Sequence, residues 1–175
     1  MKLTSKHWVV VLITPLMVAL DQATKIFIHS TFQLYQAIEI VPDYFNIIYV
    51  RNTGLAFSLF TDRLGHYSTW IFLGITLVAL GIIIHLFFQT RENAMLLPTA
   101  LSFVLAGAFG NLIDRLHWGY VVDFIQWHYG EHYWPTFNVA DISIAIGIVF
   151  LVIDSFRPQA APSPETKAGG PTGAK

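Results

Sequence analysis

Two long uncharged segments constrain what this chain can fold into more than any other feature of its sequence. Residues 67–88 and residues 94–113 contain no Asp, Glu, Lys or Arg. Each segment is close to the ~20 residues that an α-helix needs to cross the ~30 Å hydrocarbon core of a bilayer. The short connection between them carries Arg91 and Glu92. We therefore predict two membrane-spanning helices joined as a tight hairpin.

Two further segments are long and apolar but contain charged residues. Residues 8–28 include Asp21 and Lys25, and residues 138–156 include Asp141 near their start. The whole chain is 54% hydrophobic and only 12% charged, whereas soluble domains are roughly 25% charged. The sequence therefore predicts an integral membrane protein of the mainly α class with four transmembrane helices.

No linker divides the chain into separate domains, so residues 1–157 are predicted to form a single polytopic membrane domain. Residues 158–175 are rich in Pro, Gly, Ala, Ser and Thr, a composition typical of disordered segments. We predict a disordered cytoplasmic tail whose loss has little effect on activity. Lys2 and Lys6 precede an apolar run that continues past Leu20 without a small-residue cleavage site, which favours an uncleaved anchor over a signal peptide.

Charge and cysteine content exclude several classes of function. The formal net charge is −1 and the sequence has no basic patch, so no nucleic-acid partner is predicted. The chain contains no cysteine, which excludes disulfides, a thiol nucleophile and thiolate metal ligands.

Four spans would place both chain ends on the same side of the membrane. Six of the ten Lys and Arg residues would share that side, a weak positive-inside bias that predicts cytoplasmic termini. Residues 29–66 and 114–137 would then lie outside. Within them, residues 44–51 and 120–127 are strand-like, and a turn at 52–54 leads into residues 55–60 as a small hairpin. Because these segments are rich in aromatic residues, which prefer the headgroup level, we predict a small extracytoplasmic β-structured platform on the membrane.

Four carboxylates fall near this predicted outer border: Asp21, Asp114, Asp123 and Asp141. Asp123 lies inside the apolar run VVDFI, where desolvation should raise its pKa. Asp141 follows eighteen positions later, at the start of the last span. Two carboxylates that share one proton can act as base and acid in peptide hydrolysis without a covalent intermediate. An alternative for Asp141 alone is a helix N-terminal carboxylate favoured by the helix dipole.

Polar residues at helical spacing could support such a pair. Asn111 and Arg115 are four residues apart, and Asn138 lies three residues before Asp141, so the Asn138 amide could hold that carboxylate. Asp21 and Lys25 are four residues apart and are predicted to neutralise one another in a structural role. Small residues at 107 and 110 favour close helix packing.

A zinc site is a competing interpretation of the segment HYGEH at 128–132. It matches the H-x-x-E-H pattern, in which two His on one helical turn bind the metal. Gly130 inside the segment and Pro135 soon after it predict a loop instead. We therefore predict no metal and no cofactor.

Five motifs occur in order along the chain: DQxxK at 21–25, NTGLAFS at 52–58, GAxGNxxDR at 107–115, VVDF at 121–124 and FNVAD at 137–141. They cover about residues 8–156 and resemble the successive motifs of the lipoprotein signal peptidases, also called signal peptidase II. The resemblance implies a bacterial inner-membrane aspartic endopeptidase, active near the outer-leaflet surface. Its implied reaction is cleavage of a prolipoprotein signal peptide just before a cysteine modified with diacylglycerol.

By position, the resemblance implies that Asp123 and Asp141 are the catalytic pair. It implies supporting or substrate-contacting roles for Asn52, Gly54, Asn111, Arg115 and Asn138, and structural polar roles for Asp21, Lys25 and Asp114. Arg115 or Asn52 is expected to orient the substrate backbone or headgroup. The expected partners are modified prolipoproteins and membrane lipid, with the enzyme acting as a monomer.

Two other classes of function remain open at this point. A small proton-coupled transporter would use intramembrane carboxylates as a proton relay, although here the carboxylates cluster at one border. A non-enzymatic scaffold would present the aromatic loops to partners and would tolerate Asp123→Asn.

Overall fold

The computed structural model describes residues 4–53, 68–92 and 94–157. Its helices and strands, in chain order, are α1 Ser5–Thr31, β1 Ala37–Val41, β2 Phe45–Asn52, α2 Ser68–Gln89, α3 Leu96–Trp118, β3 Val121–Tyr129, β4 His132–Tyr133 and α4 Val139–Ser155. Gly54, residues 55–60 of the predicted hairpin and the tail at 158–175 lie outside the described residues.

Three helices in the described part of the chain are long and apolar enough to cross a membrane: α1, α2 and α3. They correspond to the first three predicted spans. Helix α3 continues to Trp118, five residues beyond the predicted end at 113, so our placement of Asp114 and Arg115 in an outer loop was wrong. The helix continues because their side chains have partners in the protein and Gly119, with a left-handed φ of 79°, ends it.

Helix α3 packs against all three other helices, and its contact with α4 is the closest. A Cβ atom added to Gly147 of α4 would lie 2.8 Å from the carbonyl oxygen of Ala100 in α3. A Cβ atom on Gly107 would overlap the carbonyl oxygen of Ala140. These glycines let the two backbones approach without a side chain between them, which confirms the close packing predicted at position 107.

The strands form one antiparallel sheet in the order β1-β2-β3-β4. Strand β3 confirms the predicted strand at 120–127, and β2 confirms the one at 44–51. The register of β2 and β3 pairs Val50 with Asp123 and Asn52 with Val121. The sheet is anchored to the end of α1 by a small core in which Ile28 contacts Tyr49, Val122 and Phe124.

The start of α1 is tied to the connection between α2 and α3. The buried Lys6 ammonium donates to the carbonyl oxygen of Thr90 at 2.7 Å and lies 3.0 Å from Glu92 Oε1. At the other end of α1, Asp21 accepts a hydrogen bond from the Ala140 backbone N–H at 2.8 Å. The sheet and the start of α4 therefore lie at the same end of the helical bundle. The connection between α2 and α3 lies at the opposite end.

Candidate active site

Asp123 and Asp141 reach one polar cluster from different elements. Asp123 lies in β3 and is 2% exposed, and Asp141 lies in the first turn of α4. Asn138 touches both of them: its side-chain Nδ2 donates to Asp123 Oδ1 at 2.6 Å, and its backbone N–H donates to Asp141 Oδ2 at 3.2 Å. One residue therefore holds both carboxylates.

The local fold explains this double contact. Asn138 is the N-cap of α4, and its Oδ1 accepts a hydrogen bond from the Asp141 backbone N–H at 3.0 Å. Together with the return bond from the Asn138 N–H, this is a capping box. The predicted contact between Asn138 and the Asp141 carboxylate is confirmed, but its donor is the Asn138 backbone N–H. Capping occupies the side-chain amide oxygen, and Nδ2 donates to Asp123.

The amide that holds the Asp141 carboxylate belongs to Asn111 of α3. Its Nδ2 donates to Asp141 Oδ1 at 2.8 Å, and its Oδ1 accepts from Asn138 Nδ2 at 3.2 Å. On the sheet side, Asn52 Nδ2 donates to Asp123 Oδ2 at 2.8 Å. Each carboxylate therefore has an amide donor that can release or strengthen its bond as the carboxylate loses or gains charge.

Behind this cluster lies a buried group of three ions. Lys25 Nζ is 2.9 Å from Asp21 Oδ2 and 3.0 Å from Asp114 Oδ2. Gln22 Nε2 also donates to both carboxylates, at 3.1 Å and 2.9 Å. The predicted contact between Asp21 and Lys25 is confirmed, but its extension to Asp114 and Gln22 was missed. The signal was present, since Gln22 stands beside Asp21 in an otherwise apolar span.

The same ions fix the elements that carry the site. Asp114 Oδ2 accepts from the Val122 backbone N–H at 3.1 Å, next to Asp123, and Asp21 Oδ1 accepts from Ala140 N–H, next to Asp141. Val122 and Ala140, which precede Asp123 and Asp141 in sequence, are therefore both bonded to this buried cluster.

Arg115 lies on the same face of α3 as Asn111, as predicted. Its Nη1 donates to the Asn111 carbonyl oxygen at 3.2 Å, and its Cζ lies 3.9 Å from the centre of the Phe72 ring in α2. Within the described residues, its buried Nε has no hydrogen-bond partner. A buried donor without a partner is costly, so this N–H is available to an incoming acceptor.

Burial raises the pKa of Asp123 from 3.8 to about 6. The hydrogen bond from Asn52 acts in the opposite direction, the charge of Asp141 raises the pKa further, and Asn138 lowers it. The sequence had predicted this direction from the apolar neighbours of Asp123. A carboxyl group with a pKa near 6 can hold a proton close to neutral pH and give it up during a reaction.

An open apolar groove of about 840 Å³ runs from Asp141 along α4. Its lining is aromatic near the sheet and aliphatic along the helix: Trp127, Trp134, Pro135, Phe137, Ile142, Ala145, Ile146, Val149 and Phe150. Trp127 and Trp134 are 58% and 67% exposed. An apolar chain can therefore lie against α4 with one end beside Asp141.

The segment that matched the zinc pattern does not form a helical turn. His128 lies in β3, His132 lies in β4, and Glu131 lies in the turn between these two antiparallel strands. In the part of the chain that the structure describes, no three His, Cys, Asp or Glu side chains are grouped as metal ligands.

A profile of the family described as signal peptidase (SPase) II matches residues 13–157. Similar curated proteins include the lipoprotein signal peptidase of Geobacter metallireducens, 41% identical over 83% of this chain and 89% of the relative. Those of Syntrophus aciditrophicus and Pseudomonas putida are 38% and 40% identical, over 82% and 85% of this chain and 89% and 87% of the relatives.

Two solved structures are also similar. One is a bacterial membrane enzyme determined by the in meso method at 1.9 Å resolution, with 32% identity and a TM-score of 0.75 over 86% of this chain and 94% of that chain. The other, determined by the same method at 2.3 Å resolution, has 29% identity and a TM-score of 0.75 over 93% of this chain and 99% of that chain.

Proposed function

Because the chain belongs to the signal peptidase II family, we propose that it removes the signal peptide from diacylglyceryl-modified prolipoproteins. The cut falls just before the lipid-modified cysteine. The observation that carries the proposal is the pair Asp123 and Asp141, held together by Asn138 at the end of the helical bundle.

In the proposed reaction, the two carboxyl groups share one proton in the resting enzyme. Asp123 is almost fully buried and Asp141 is only partly buried, so the proton prefers Asp123. Asp141 then takes a proton from a water molecule, and the water oxygen attacks the scissile carbonyl carbon. Asp123 protonates the carbonyl oxygen. When the tetrahedral gem-diol collapses, Asp141 gives its proton to the leaving amine and the C–N bond breaks. Asp123 takes back a proton from a diol hydroxyl, which restores the resting protonation of the pair.

The side-chain amides of the cluster can stabilise both carboxyl groups as their charges change during the reaction. Asn111 donates to Asp141 and Asn52 donates to Asp123, so each carboxylate keeps a donor while its charge changes. The unpaired Nε of Arg115 is a candidate donor to the substrate backbone. These groups are fixed by packing before the substrate arrives, which is the arrangement that lowers the cost of reorganisation during the reaction.

We propose that α4 is the fourth membrane span, that both termini are cytoplasmic and that the sheet lies on the outer surface. The 17 residues of α4, Val139–Ser155, are at the short end of the range for a span. The carboxylate pair then lies at the outer membrane border. A diacylglyceryl group keeps a substrate cysteine at that level, so the scissile bond reaches the pair without crossing the hydrocarbon core.

The groove along α4 fits the apolar part of such a substrate. Its aliphatic wall follows α4, the proposed fourth span, and its other end is lined by Asp141. We propose that an apolar segment of the prolipoprotein or one of its acyl chains occupies this groove. Confinement in the groove would supply part of the orientation that peptide hydrolysis requires.

The test is a gel-shift cleavage assay with purified protein in lipid or detergent. Wild type is expected to cleave a diacylglyceryl-modified prolipoprotein and to leave the unmodified precursor intact. Asp123→Asn and Asp141→Asn are each expected to reduce cleavage by at least about 10³-fold, because either change removes a group that must exchange a proton.

Folding controls accompany the assay. Both Asn variants should keep the wild-type elution volume in detergent and should still bind a non-cleavable modified precursor. Cleavage that persists in either folded variant would rule out the pair mechanism. An inert wild type on modified precursor would instead show that the proposed substrate is wrong.

A further inference from the structure

Lys25 lies in α1, outside the reactive pair, and its ammonium group is fully buried. Its Nζ contacts three oxygens: Asp21 Oδ2 at 2.9 Å, Asp114 Oδ2 at 3.0 Å and Asn111 Oδ1 at 2.9 Å. A lysine ammonium has three N–H donors, so each donor has one acceptor. Charge balance does not require the third contact, because two carboxylates already outnumber the single cation.

The contact with Asn111 determines which way its amide points. An ammonium can only donate, so the amide oxygen must face Lys25. The amide nitrogen then faces Asp141 Oδ1 at 2.8 Å. The opposite orientation would place two donors against each other at Lys25 and an oxygen against the Asp141 carboxylate. Lys25 therefore makes Asn111 a donor to Asp141.

The effect extends to the second carboxylate. Asn111 Oδ1, which faces Lys25, also accepts from Asn138 Nδ2 at 3.2 Å, and the same Nδ2 donates to Asp123 Oδ1 at 2.6 Å. Two amides thus connect the lysine to both carboxylates. Asn111 Oδ1 accepts from both Lys25 and Asn138, and the amide nitrogens of Asn111 and Asn138 donate to Asp141 and Asp123.

We propose that Lys25 is a positioning residue of the reaction, which orients the Asn111 amide and thereby holds Asp141 and the shared proton of the pair in the reactive arrangement. This inference rests on the proposed peptidase function. It assigns Lys25 more than the structural charge neutralisation predicted from its spacing to Asp21.

A matched pair of variants isolates this role. Asp21→Asn removes one ion pair but leaves Lys25 bonded to Asp114 and Asn111. Lys25→Met combined with Asp21→Asn removes the lysine as well. Methionine has a similar length and no donor, and Asp114 keeps its bonds from Gln22 and the Val122 N–H. Comparing the two proteins therefore reports on Lys25 without leaving Asp21 as an unpaired charge.

The measurements are kcat, KM and the pH profile of cleavage, together with thermal unfolding. Compared with Asp21→Asn, the double variant is expected to lose roughly tenfold to a hundredfold in kcat, the size of effect that a small misplacement of reacting groups produces. KM should change little. The limb of the profile at high pH should move to higher pH, because the pair loses both a nearby cation and the amide donor to Asp141, and therefore holds its proton more tightly.

The outcomes separate the hypotheses. A folded double variant with the kcat and pH profile of Asp21→Asn would overturn the proposal and leave Lys25 as a counter-ion. An equal pH shift in Asp21→Asn alone would also overturn it, since that variant keeps the bond to Asn111. An inert wild type would instead count against the peptidase function itself.

If the double variant does not fold, Lys25→Arg decides the question. Arginine keeps the charge for Asp21 and Asp114, but its planar N–H groups cannot reproduce the three directions of an ammonium. We expect a folded protein with lower kcat and a pH limb shifted in the same direction as in the double variant. Wild-type kcat together with an unshifted limb would overturn the proposal.

Discussion

Four carboxylates at one end of the helical bundle divide into two groups by their partners. Asp21 and Asp114 lie within 3.0 Å of the Lys25 ammonium, so each faces an opposite charge. Asp123 and Asp141 instead accept from the side-chain amides of Asn52, Asn111 and Asn138 and, for Asp141, from the Asn138 backbone N–H. Among the described residues, neither lies within salt-bridge distance of a cation. The proposed reaction therefore assigns proton exchange to this second pair, which has no cation beside it among the described residues.

This difference leads to a prediction for the pH dependence of catalysis. In the proposed mechanism the reactive form has one proton on the pair, and burial raises the pKa of Asp123 to about 6. Loss of that proton should lower kcat/KM of the free enzyme as pH rises above about 6. Bound substrate excludes more water and should move the corresponding limb of kcat to higher pH. Steady-state cleavage rates measured below and above about pH 6 give the high-pH limb of kcat/KM and that of kcat.

Folding stability provides an independent check of the same group. Because its pKa is raised on folding, Asp123 favours the folded state most below pH 3.8, and this contribution is lost as pH rises through about 6. Thermal unfolding of wild type and Asp123→Asn across this window isolates the effect. If the difference between the two unfolding temperatures did not vary with pH, the raised pKa would be excluded.

At the scale of helices, the contact between α3 and α4 depends on positions without side chains. A Cβ atom on Gly147 would lie 2.8 Å from Ala100 O and 2.9 Å from Val104 N, both of them backbone atoms. Neither atom can move without shifting a helix. Since α4 carries Asp141 and Asn138, a shift of this helix also disturbs the reactive pair.

Gly147→Ala should therefore lower both stability and activity. We expect a loss of about 1–3 kcal/mol in the free energy of unfolding, the usual range for overpacking a core, and a lower kcat. The matched control is Gly81→Ala in α2, where an added Cβ atom meets nothing within 4 Å. That variant should stay within about 0.5 kcal/mol of wild type. Equal losses for the two variants would contradict the role of close packing.

The strands show what sequence patterns could and could not predict. Strand β3 was predictable because its first four residues are buried and apolar except for Asp123. Strand β1 was missed although its β-branched residues on either side of Glu39 are typical of a strand. All five of its residues are exposed, so it does not contribute to the buried core. Its pairing with β2 is set by the turn at Pro42 and Asp43, where Asp43 adopts a φ of 65°.

At the scale of the whole molecule, the sequence predicted the helices better than the contacts between distant parts of the chain. Apolar length alone indicates a span, and an acidic residue within an apolar run indicates a candidate site without reference to distant parts of the chain. The bond from Ala140 N–H to Asp21 joins residues 119 positions apart. No local pattern predicts such a contact, because it depends on which helices become neighbours. The contact of Asn138 with Asp123, 15 positions earlier, was missed for the same reason.

The arrangement of the whole chain in the membrane can be tested with single cysteines, since the natural chain has none. Tyr129→Cys lies in the exposed end of β3, between α3 and α4, and Arg157→Cys follows α4. If α4 crosses the membrane with the sheet outside, a membrane-impermeant maleimide should label Tyr129→Cys in intact spheroplasts. It should label Arg157→Cys only after permeabilisation. Cleavage activity of both variants confirms that they are folded.

The two positions differ in the number of spans that precede them, so their labelling reports on α4 alone. Labelling of both from outside would mean that α4 does not cross, and the proposed fourth span would be wrong. Labelling of Arg157→Cys alone from outside would mean that the orientation is the reverse of the proposed one, with the carboxylate pair at the cytoplasmic border. A lipid-anchored substrate in the outer leaflet could not reach it there, so this result would also contradict the proposed reaction.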